Sequence, residues 1–234
     1  MFGLQINIFR LLGDFSHILA IFILMRKIWK TRSCSGLSGK TQLLFMIVYI
    51  SRYLDLFTHF ISVYNTIGKI IYLSTTMVTV YLIFMKFRVT YQDHKDSFPI
   101  WTLLLPSGIL ACIESGVTDI IELFWSFSIF LESVAIMPQM FMIAKTKEAE
   151  TITAHYLCAL GLYRAFYIFN WAYRYVNEDY LDYVALIFGI VQTVLYLDFF
   201  YLYIKNGNSL SDTSSNVFPI SVIYGTKMRL PTKN

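Results

Sequence analysis

The chain has 234 residues, of which 56% are hydrophobic and only 15% are charged. Soluble domains are about 45–50% apolar and about 25% charged, so this composition excludes a soluble enzyme and indicates an integral membrane protein. The net charge is +4. The three cysteines, Cys34, Cys112 and Cys158, have no spacing typical of a disulfide framework or a zinc site. We therefore expect no metal and no cofactor.

Seven apolar stretches predict an all-α integral membrane protein with seven transmembrane helices. A helix that crosses the hydrocarbon core needs about 20 mostly apolar residues. Polar residues interrupt the first apolar run and no small-residue cleavage site follows it, which argues against a cleavable signal peptide. The expected spans cover residues 5–25, 42–62, 67–85, 98–113, 119–143, 154–175 and 180–204.

The distribution of lysine and arginine predicts the orientation in the membrane. Of the 19 basic residues, 14 fall after spans 1, 3 and 5 or in the tail, whereas the opposite side has only Lys69 in a loop. Together with the odd number of spans, this bias predicts a lumenal N-terminus and a cytosolic C-terminus. We expect a membrane domain over residues 1–204 and a cytosolic tail over residues 205–234.

A weak internal repeat relates the first and second halves of the membrane domain. Arg52 in "LLFMIVYISRYLDLF" and Arg164 in "LCALGLYRAFYIF" each follow about ten apolar residues. Both copies begin on the same side, so the pattern predicts two parallel three-helix repeats joined by a linking helix. In transporters built on parallel repeats, the binding site lies at the repeat interface.

Charged and polar residues inside the predicted spans indicate a wet cavity. A charged side chain at mid-bilayer costs about 2.5–3.5 kcal/mol on insertion scales, so these groups are expected to line water or to pair with one another. Their helical spacing places them on shared faces. The candidates are Arg10, Asp14 and His17 in span 1, Arg52 and Asp55 in span 2, Glu122, Trp125 and Glu132 in span 5, Tyr163, Arg164, Tyr167, Trp171 and Arg174 in span 6, and Asp198 nearer the cytosol in span 7.

Four arginines on three helices predict an anionic ligand, because a guanidinium group stays protonated and matches a carboxylate through two parallel hydrogen bonds. Aromatic walls suit the apolar or cationic parts of such a ligand. Together they suggest a short acidic peptide with a free carboxylate. Structural alternatives stay open: Arg52 and Asp55 as an intrahelical pair, Tyr167 as a core side chain, and His17 as a buried structural histidine.

Long strings of this sequence resemble the KDEL receptors, which retain proteins of the endoplasmic reticulum (ER). The strings include "NIFRLLGDFSHILAI", "SRYLDLFTHFISVYNT", "ELFWSFSIFLESVAIMPQMFMIAKTKEAETITAHYLCALGLYRAFYIFNWAYRY" and "GIVQTVLYLDFFYLY". The resemblance covers about residues 7–204 and implies a PQ-loop/SWEET-like fold, with Pro138 and Gln139 at the position of the superfamily's dipeptide.

The resemblance also implies a function and a set of roles. The protein would bind the C-terminal Lys-Asp-Glu-Leu-like signal of soluble ER proteins in the acidic Golgi, return them in retrograde vesicles and release them near neutral pH. It would lie in ER, ER–Golgi intermediate and cis-Golgi membranes. Arg52 would hold the terminal carboxylate, and the other acidic groups would be bound by Arg10, Arg164 and Arg174. The ligand's lysine would contact Glu122 and Trp125, and the site would be completed by Asp55, Tyr167 and Trp171. His17 would be the proton switch, coupled to Tyr163 and Glu132, and Asp198 would serve transport.

The chemistry of histidine agrees with that switch, because an unperturbed imidazole titrates near pH 6.5, between the acidities of the two compartments.

Two departures from the family are visible. The tail is longer, with a Ser/Asn-rich stretch at 206–217, and its residues Lys227, Arg229, Leu230 and Pro231 resemble the family's coat-recruiting lysine signal only loosely. The loop at Ser115–Thr118 lacks an expected acidic residue.

Other function classes are less consistent with the sequence. A sugar or amino acid transporter of the same fold is the main alternative, but a neutral-sugar pathway has no use for four arginines. No nucleophile elbow, metal spacing or phosphate loop suggests an enzyme, and minimal loops with the wrong repeat exclude a G-protein-coupled receptor. No nucleic acid partner is expected.

Overall fold

The computed structural model describes residues 7–57, 60–116, 119–146 and 151–208, and all the regular structure in these ranges is helical. The tail signal and the 206–217 stretch lie wholly or mostly outside this part of the chain, as does half of the Ser115–Thr118 loop. The helices are α1 (Ile8–Thr31), α2 (Gly39–Arg52), α3 (Val63–Tyr81), α4 (Trp101–Ser115), α5 (Ile120–Val134), α6 (Met137–Thr146), α7 (Thr151–Glu178) and α8 (Tyr183–Asn208).

Four helical segments within the described ranges are long and apolar enough to cross a membrane: Ile8–Thr31, Val63–Lys86, Ile120–Thr146 and Tyr183–Tyr201. Helix α4 is apolar but has only 15 residues. Helix α7 is long enough, with 28 residues, but it is more polar than the other four. The described part of the chain is therefore all-helical, with helices suited to span a membrane, and it carries large exposed apolar side chains such as Phe15 and Leu197.

Helix α2 ends earlier than the sequence predicts. The expected span runs to residue 62, but the α-helix stops at Arg52 and continues as a 3₁₀ turn over Leu54–Phe57. The change is visible in the hydrogen bonds, since the Leu56 amide donates to the Tyr53 carbonyl three residues back. This early end turns Arg52 and Asp55 toward different partners, which are described below.

The fifth predicted span is broken into α5 and α6 at residues 135–136. Pro138 explains the break, because a proline has no amide hydrogen and its ring crowds the carbonyl four residues back. The break frees Gln139 for contacts with the start of α2. The backbone amide of Gln139 donates to the Thr41 hydroxyl at 2.9 Å, and its side-chain oxygen accepts from the Ser38 backbone amide at 2.8 Å.

Helix packing brings α1 against α7, and α7 and α5 against α8. Asn7 caps α1 by accepting from the Arg10 amide, and its own side-chain amide donates to Asn170 of α7 at 2.7 Å. Gly13 permits this close approach, because a Cβ at this position would lie 2.7 Å from the Tyr167 ring. Polar side chains that α1 and α7 place on their facing sides are therefore forced together.

A cluster of polar residues lies at the start of α2 and consists of Ser38, Tyr91, Asp96 and Gln139. We call it the end network. The Asp96 carboxylate accepts from the Ser38 hydroxyl at 2.8 Å, the Lys40 amide at 3.0 Å and the Tyr91 hydroxyl at 2.7 Å. It therefore sits at the N-terminus of α2, where negative charge is favoured. Burial, together with the hydrogen bond to Asp96, raises the pKa of the Tyr91 phenol.

Candidate functional site

A cavity of about 330 Å³ opens among α1, α2, α3, α5, α7 and α8, and we call it the main cavity. All four arginines singled out in the sequence line it. Three carboxylates, Asp14, Glu132 and Asp182, also line it, so arginines outnumber acids at its surface. The remaining predicted residues in its lining are His17, Trp125, Tyr163, Tyr167 and Trp171.

The floor of the main cavity is built around one buried carboxylate. Glu132 is 1% exposed and forms ion pairs with both Arg52 and Arg164. The Tyr163 hydroxyl also donates to it. Arg52 Nε donates to the Ser128 hydroxyl at 3.0 Å, whereas Arg164 Nε has no hydrogen-bond partner among the described residues. Two guanidinium groups thus share one carboxylate, which leaves the floor with excess positive charge.

His17 lies beside this ion cluster. The hydroxyl of Tyr49 is 2.7 Å from His17 Nε2, and the imidazole stacks on the Tyr163 ring at 4.2 Å between centroids with an interplanar angle of 7°. A third ring, that of Tyr72, lies 4.7 Å away. Because Tyr163 also contacts Glu132, the imidazole, the phenol and the carboxylate are adjoining members of one cluster.

The wall between α1 and α7 is organised by Asp14. Its two carboxylate oxygens accept from the hydroxyls of Tyr64 and Tyr167, each at 2.6 Å. Arg10 contacts the same carboxylate more loosely, with Nε at 4.0 Å. The two tyrosines therefore satisfy Asp14, and the Arg10 guanidinium keeps most of its hydrogen-bonding capacity for another anion.

The outer part of the main cavity is formed by α7 and α8. Arg174 Nε donates to Glu178 at 2.8 Å, and the guanidinium lies 4.3 Å from the Tyr180 ring centroid. Trp171 lies against Gly189 of α8, where an added Cβ would come within 2.5 Å of the indole. The indole can approach α8 this closely only because residue 189 has no side chain.

Three predicted site residues do not line the main cavity. Glu122 is exposed in the first turn of α5, one turn before Trp125. Asp198 lies on α8 beyond Gln192, the last residue of that helix that lines the main cavity. Asp55 accepts from Lys69 Nζ at 2.6 Å. Lys69 itself is buried within α3 rather than in a loop, so that part of the sequence interpretation is wrong.

The intrahelical pairing of Arg52 with Asp55, which the sequence left open, is also wrong. Arg52 pairs with Glu132 of α5, and Asp55 pairs with Lys69 of α3. The reason is the early end of α2, because the two residues no longer lie on one helical face once the chain enters the 3₁₀ turn.

Several lining residues were missed by the sequence reasoning. Tyr49 lies in an apolar run, and its contact with His17 depends on how α1 and α2 pack. Asp182 just before α8 and Ala185, Gly189 and Gln192 on α8 line the main cavity at a helical spacing, and Gln192 is fully buried. The sequence signal that could have identified this face is the polar residue at each end of it, Asp182 and Gln192. Asn170 also lines the main cavity and follows the same face of α7 as Tyr167 and Arg174.

Fold and site together define a class of protein: an all-helical membrane protein with an arginine-lined cavity that suits an anionic ligand. Comparisons with known proteins give the family. The family model for the ER lumen protein retaining receptor matches residues 33–174. The chain is 51% identical to the Drosophila melanogaster protein named ER lumen protein-retaining receptor, and 58% identical to ER lumen protein-retaining receptor 2 of Gallus gallus and of Homo sapiens.

Each of these matches covers 225 residues, which is 96% of this chain and 99% of the relative. The chain belongs to the ER lumen protein retaining receptor family. The family is named for receptors that retain proteins of the ER lumen, so this chain is an ER-related membrane protein.

Proposed function

We propose that this chain is a retrieval receptor that binds the C-terminal Lys-Asp-Glu-Leu-like signal of soluble ER proteins in its main cavity. Capture takes place in the acidic Golgi and release in the ER, near neutral pH. Family membership supports the receptor role, and the alternative of a small-solute transporter is not favoured. The observation that carries the peptide ligand is the gathering of four arginines around one cavity with only three carboxylates.

The charges of the main cavity match those of such a signal. The peptide has two acidic side chains and a terminal carboxylate, and buried or half-buried guanidinium groups bind carboxylates through charge-assisted hydrogen bonds. Arg10 is only loosely paired, and Arg164 keeps a free Nε among the described contacts. In our proposal Arg52 holds the terminal carboxylate at the floor, and Arg10, Arg164 and Arg174 take the other acidic groups.

The depth of the main cavity also suits four residues. Arg164 and Arg174 lie ten residues apart on α7, which corresponds to about 15 Å along a helix. Four extended residues span about 13 Å. A signal whose terminal residue lies near Arg52 and Arg164 would therefore place its first residue near Arg174, and in our proposal Trp125 and Glu122 meet its lysine.

The proposal includes the membrane arrangement. Seven spans in two parallel three-helix repeats with a linking helix, a lumenal N-terminus and a cytosolic C-terminus would open the main cavity to the lumen. Residues 1–204 would form the receptor domain and residues 205–234 a cytosolic tail that recruits the retrograde vesicle coat. Asp198, outside the main cavity and nearer the cytosol, would serve transport between ER, intermediate and cis-Golgi membranes.

Peptide binding to the purified full-length protein tests this function. A Lys-Asp-Glu-Leu peptide with a free C-terminus is titrated at mildly acidic and at neutral pH, beside the same peptide with an amidated C-terminus. We expect tight binding only for the free carboxylate and only at acidic pH. Equal binding of the amidated peptide would overturn the proposal. Concentrative uptake of a sugar or amino acid into proteoliposomes would favour the transporter instead.

His17 is proposed as the proton switch of this receptor. Protonation adds one positive charge next to Tyr163 and Glu132 on the floor of a site for an anionic peptide. Linkage then requires that the peptide binds more tightly as pH falls. Replacing His17 with Ala should flatten the dependence of peptide affinity on pH between mildly acidic and neutral conditions. An unchanged pH profile in the H17A protein would assign the switch to another group.

A further inference from the structure

His17 also lines a second, smaller space, which we call the inner cavity. It has a volume of about 20 Å³ and lies among α1, α2, α3 and α7. A space needs roughly 10–15 Å³ to hold one water molecule, so the inner cavity has room for one. His17 and Tyr49 line both this space and the main cavity, and together they form the partition between the two.

The lining of the inner cavity is polar enough to hold a water. Gln42 Nε2 donates to the Tyr156 hydroxyl at 3.0 Å. The hydroxyls of Thr76 and Thr79 donate to carbonyls of their own helix at 2.7 and 2.8 Å, so their oxygens can still accept. A buried water usually needs two to four polar partners, and these side chains supply them.

His17 has a ring nitrogen available for such a water. Nε2 is engaged by the Tyr49 hydroxyl at 2.7 Å, and the contacts of the described residues give Nδ1 no hydrogen-bond partner. A protonated imidazole has two N–H donors and no acceptor. A buried protonated ring therefore needs a second acceptor beyond Tyr49, and a water can supply one by turning its lone pair toward the ring.

We propose that the inner cavity is a hydration site for one water molecule, held by Gln42 and Thr76, which accepts a hydrogen bond from protonated His17. This inference rests on the proposed function, because it specifies how the receptor accommodates the proton that switches it. The water lies on the side of His17 away from the peptide, so it remains in place whether the main cavity is occupied or empty.

The charged groups around His17 make a neutral partner important. Two guanidinium groups and one carboxylate from the floor cluster act on His17 electrostatically, and tyrosine rings surround it. A water adds hydrogen-bonding capacity without adding charge. The titratable and charged groups near His17 are Asp14 on α1, Tyr49 and Arg52 on α2, Tyr72 on α3, Glu132 on α5, Tyr156, Tyr163 and Arg164 on α7, and Tyr196 on α8.

The first test measures the pH at which peptide affinity is half-way between its acidic and neutral limits. Gln42→Met keeps a similar side-chain volume and removes the amide, and Thr76→Val keeps the shape and removes the hydroxyl. If the water stabilises the protonated ring, both changes should move the midpoint to lower pH, by about one unit for Gln42→Met, which is a tenfold loss of proton affinity. Affinity at the acidic limit should stay within about twofold of the wild type.

Thr75→Val is the matched control. Thr75 lies next to Thr76 on α3, and its hydroxyl makes the same kind of intrahelical hydrogen bond, to the Ile71 carbonyl at 2.6 Å, but it does not line the inner cavity. Its midpoint should equal that of the wild type. A wild-type midpoint in both Gln42→Met and Thr76→Val, or an equal shift in Thr75→Val, would overturn the inference.

A second measurement does not depend on peptide binding. A high-resolution map of the wild-type protein should show one ordered water within hydrogen-bond distance of His17 or Gln42. A dry inner cavity would overturn the inference even if the receptor binds its peptide. Conversely, a wild type that binds no peptide at any pH would overturn the proposed function, while the map would still decide whether the hydration site exists.

Discussion

The main cavity and the end network handle buried polar groups in opposite ways. In the end network, Asp96 has three donors within hydrogen-bond distance, and Gln139 uses both its backbone amide and its side chain. At the floor of the main cavity, two arginines share the single carboxylate of Glu132, and Arg164 Nε has no partner among the described residues. One region is saturated with partners and the other is not.

This difference separates a structural role from a binding role. A fully satisfied network stabilises one arrangement, because every buried donor and acceptor already has its partner. An under-neutralised cluster beside an open cavity keeps part of its interaction energy for a ligand. We therefore expect changes in the end network to alter stability without altering peptide affinity, and changes around the main cavity to alter both.

The largest effect is expected from Glu132→Gln. The change removes the negative charge that both Arg52 and Arg164 contact, and breaking a buried ion pair on one side costs about 3–5 kcal/mol. Because the arginines are partly exposed to the cavity, we expect the lower end of that range. The measurement is the thermal unfolding midpoint of the purified protein, which should fall by several degrees.

Glu122→Gln is the control for that prediction. Glu122 lies on the same helix but is exposed and outside the main cavity, so neutralising it should leave the unfolding midpoint almost unchanged. Equal losses in the two variants would mean that the Glu132 ion pairs do not stabilise the fold. Our account of the cavity floor would then be wrong.

A smaller loss is expected from Asp96→Asn in the end network. An amide keeps only one acceptor oxygen, so its NH₂ would face either the Ser38 hydroxyl or both the Lys40 amide and the Tyr91 hydroxyl, all of which donate to the carboxylate. A buried donor left without its acceptor costs about 1–3 kcal/mol. Thermal unfolding should show this loss, whereas peptide affinity and its pH midpoint should match the wild type.

Asp93→Asn offers a matched comparison, because the Asp93 side chain is 87% exposed and lies three residues away. It should change neither stability nor binding. A clear loss of peptide affinity in the Asp96→Asn protein would show that the two regions are coupled, and the division between a structural and a binding region would fail.

Much of this division was visible in the sequence, and part of it was not. The sequence predicted Arg10, Arg52, Arg164 and Arg174 as candidates for one site, because charge within an apolar run is costly wherever lipid is the neighbour. It could not predict that Arg52 would pair with Glu132 instead of Asp55. The partner of Arg52 depends on where α2 ends, because Asp55 would lie on the same face as Arg52 only if the α-helix continued.

The end network was hidden for a different reason. Ser38, Tyr91 and Asp96 are ordinary loop residues in the sequence, and nothing in their spacing indicates that they meet. They come together because the break at Pro138 brings Gln139 to the start of α2. The sequence analysis singled out Pro138 and Gln139, but the contacts of Gln139 are tertiary, so the sequence alone gave no basis for predicting them.

The last comparison adds one methyl group at Gly189 or at Gly68, and the smaller effect is expected at Gly68. At Gly189 a Cβ would lie 2.5 Å from the Trp171 indole, so Ala must displace that ring, and overpacking of this kind costs about 1–3 kcal/mol. Gly68 of α3 has open space where its Cβ would lie, so Ala should stabilise the helix by about 0.5–1 kcal/mol. We expect Gly189→Ala to lower both peptide affinity and the unfolding midpoint, and Gly68→Ala to raise the midpoint without changing affinity. If both variants bound peptide like the wild type, Trp171 would belong to the packing of α7 on α8 and not to the binding surface.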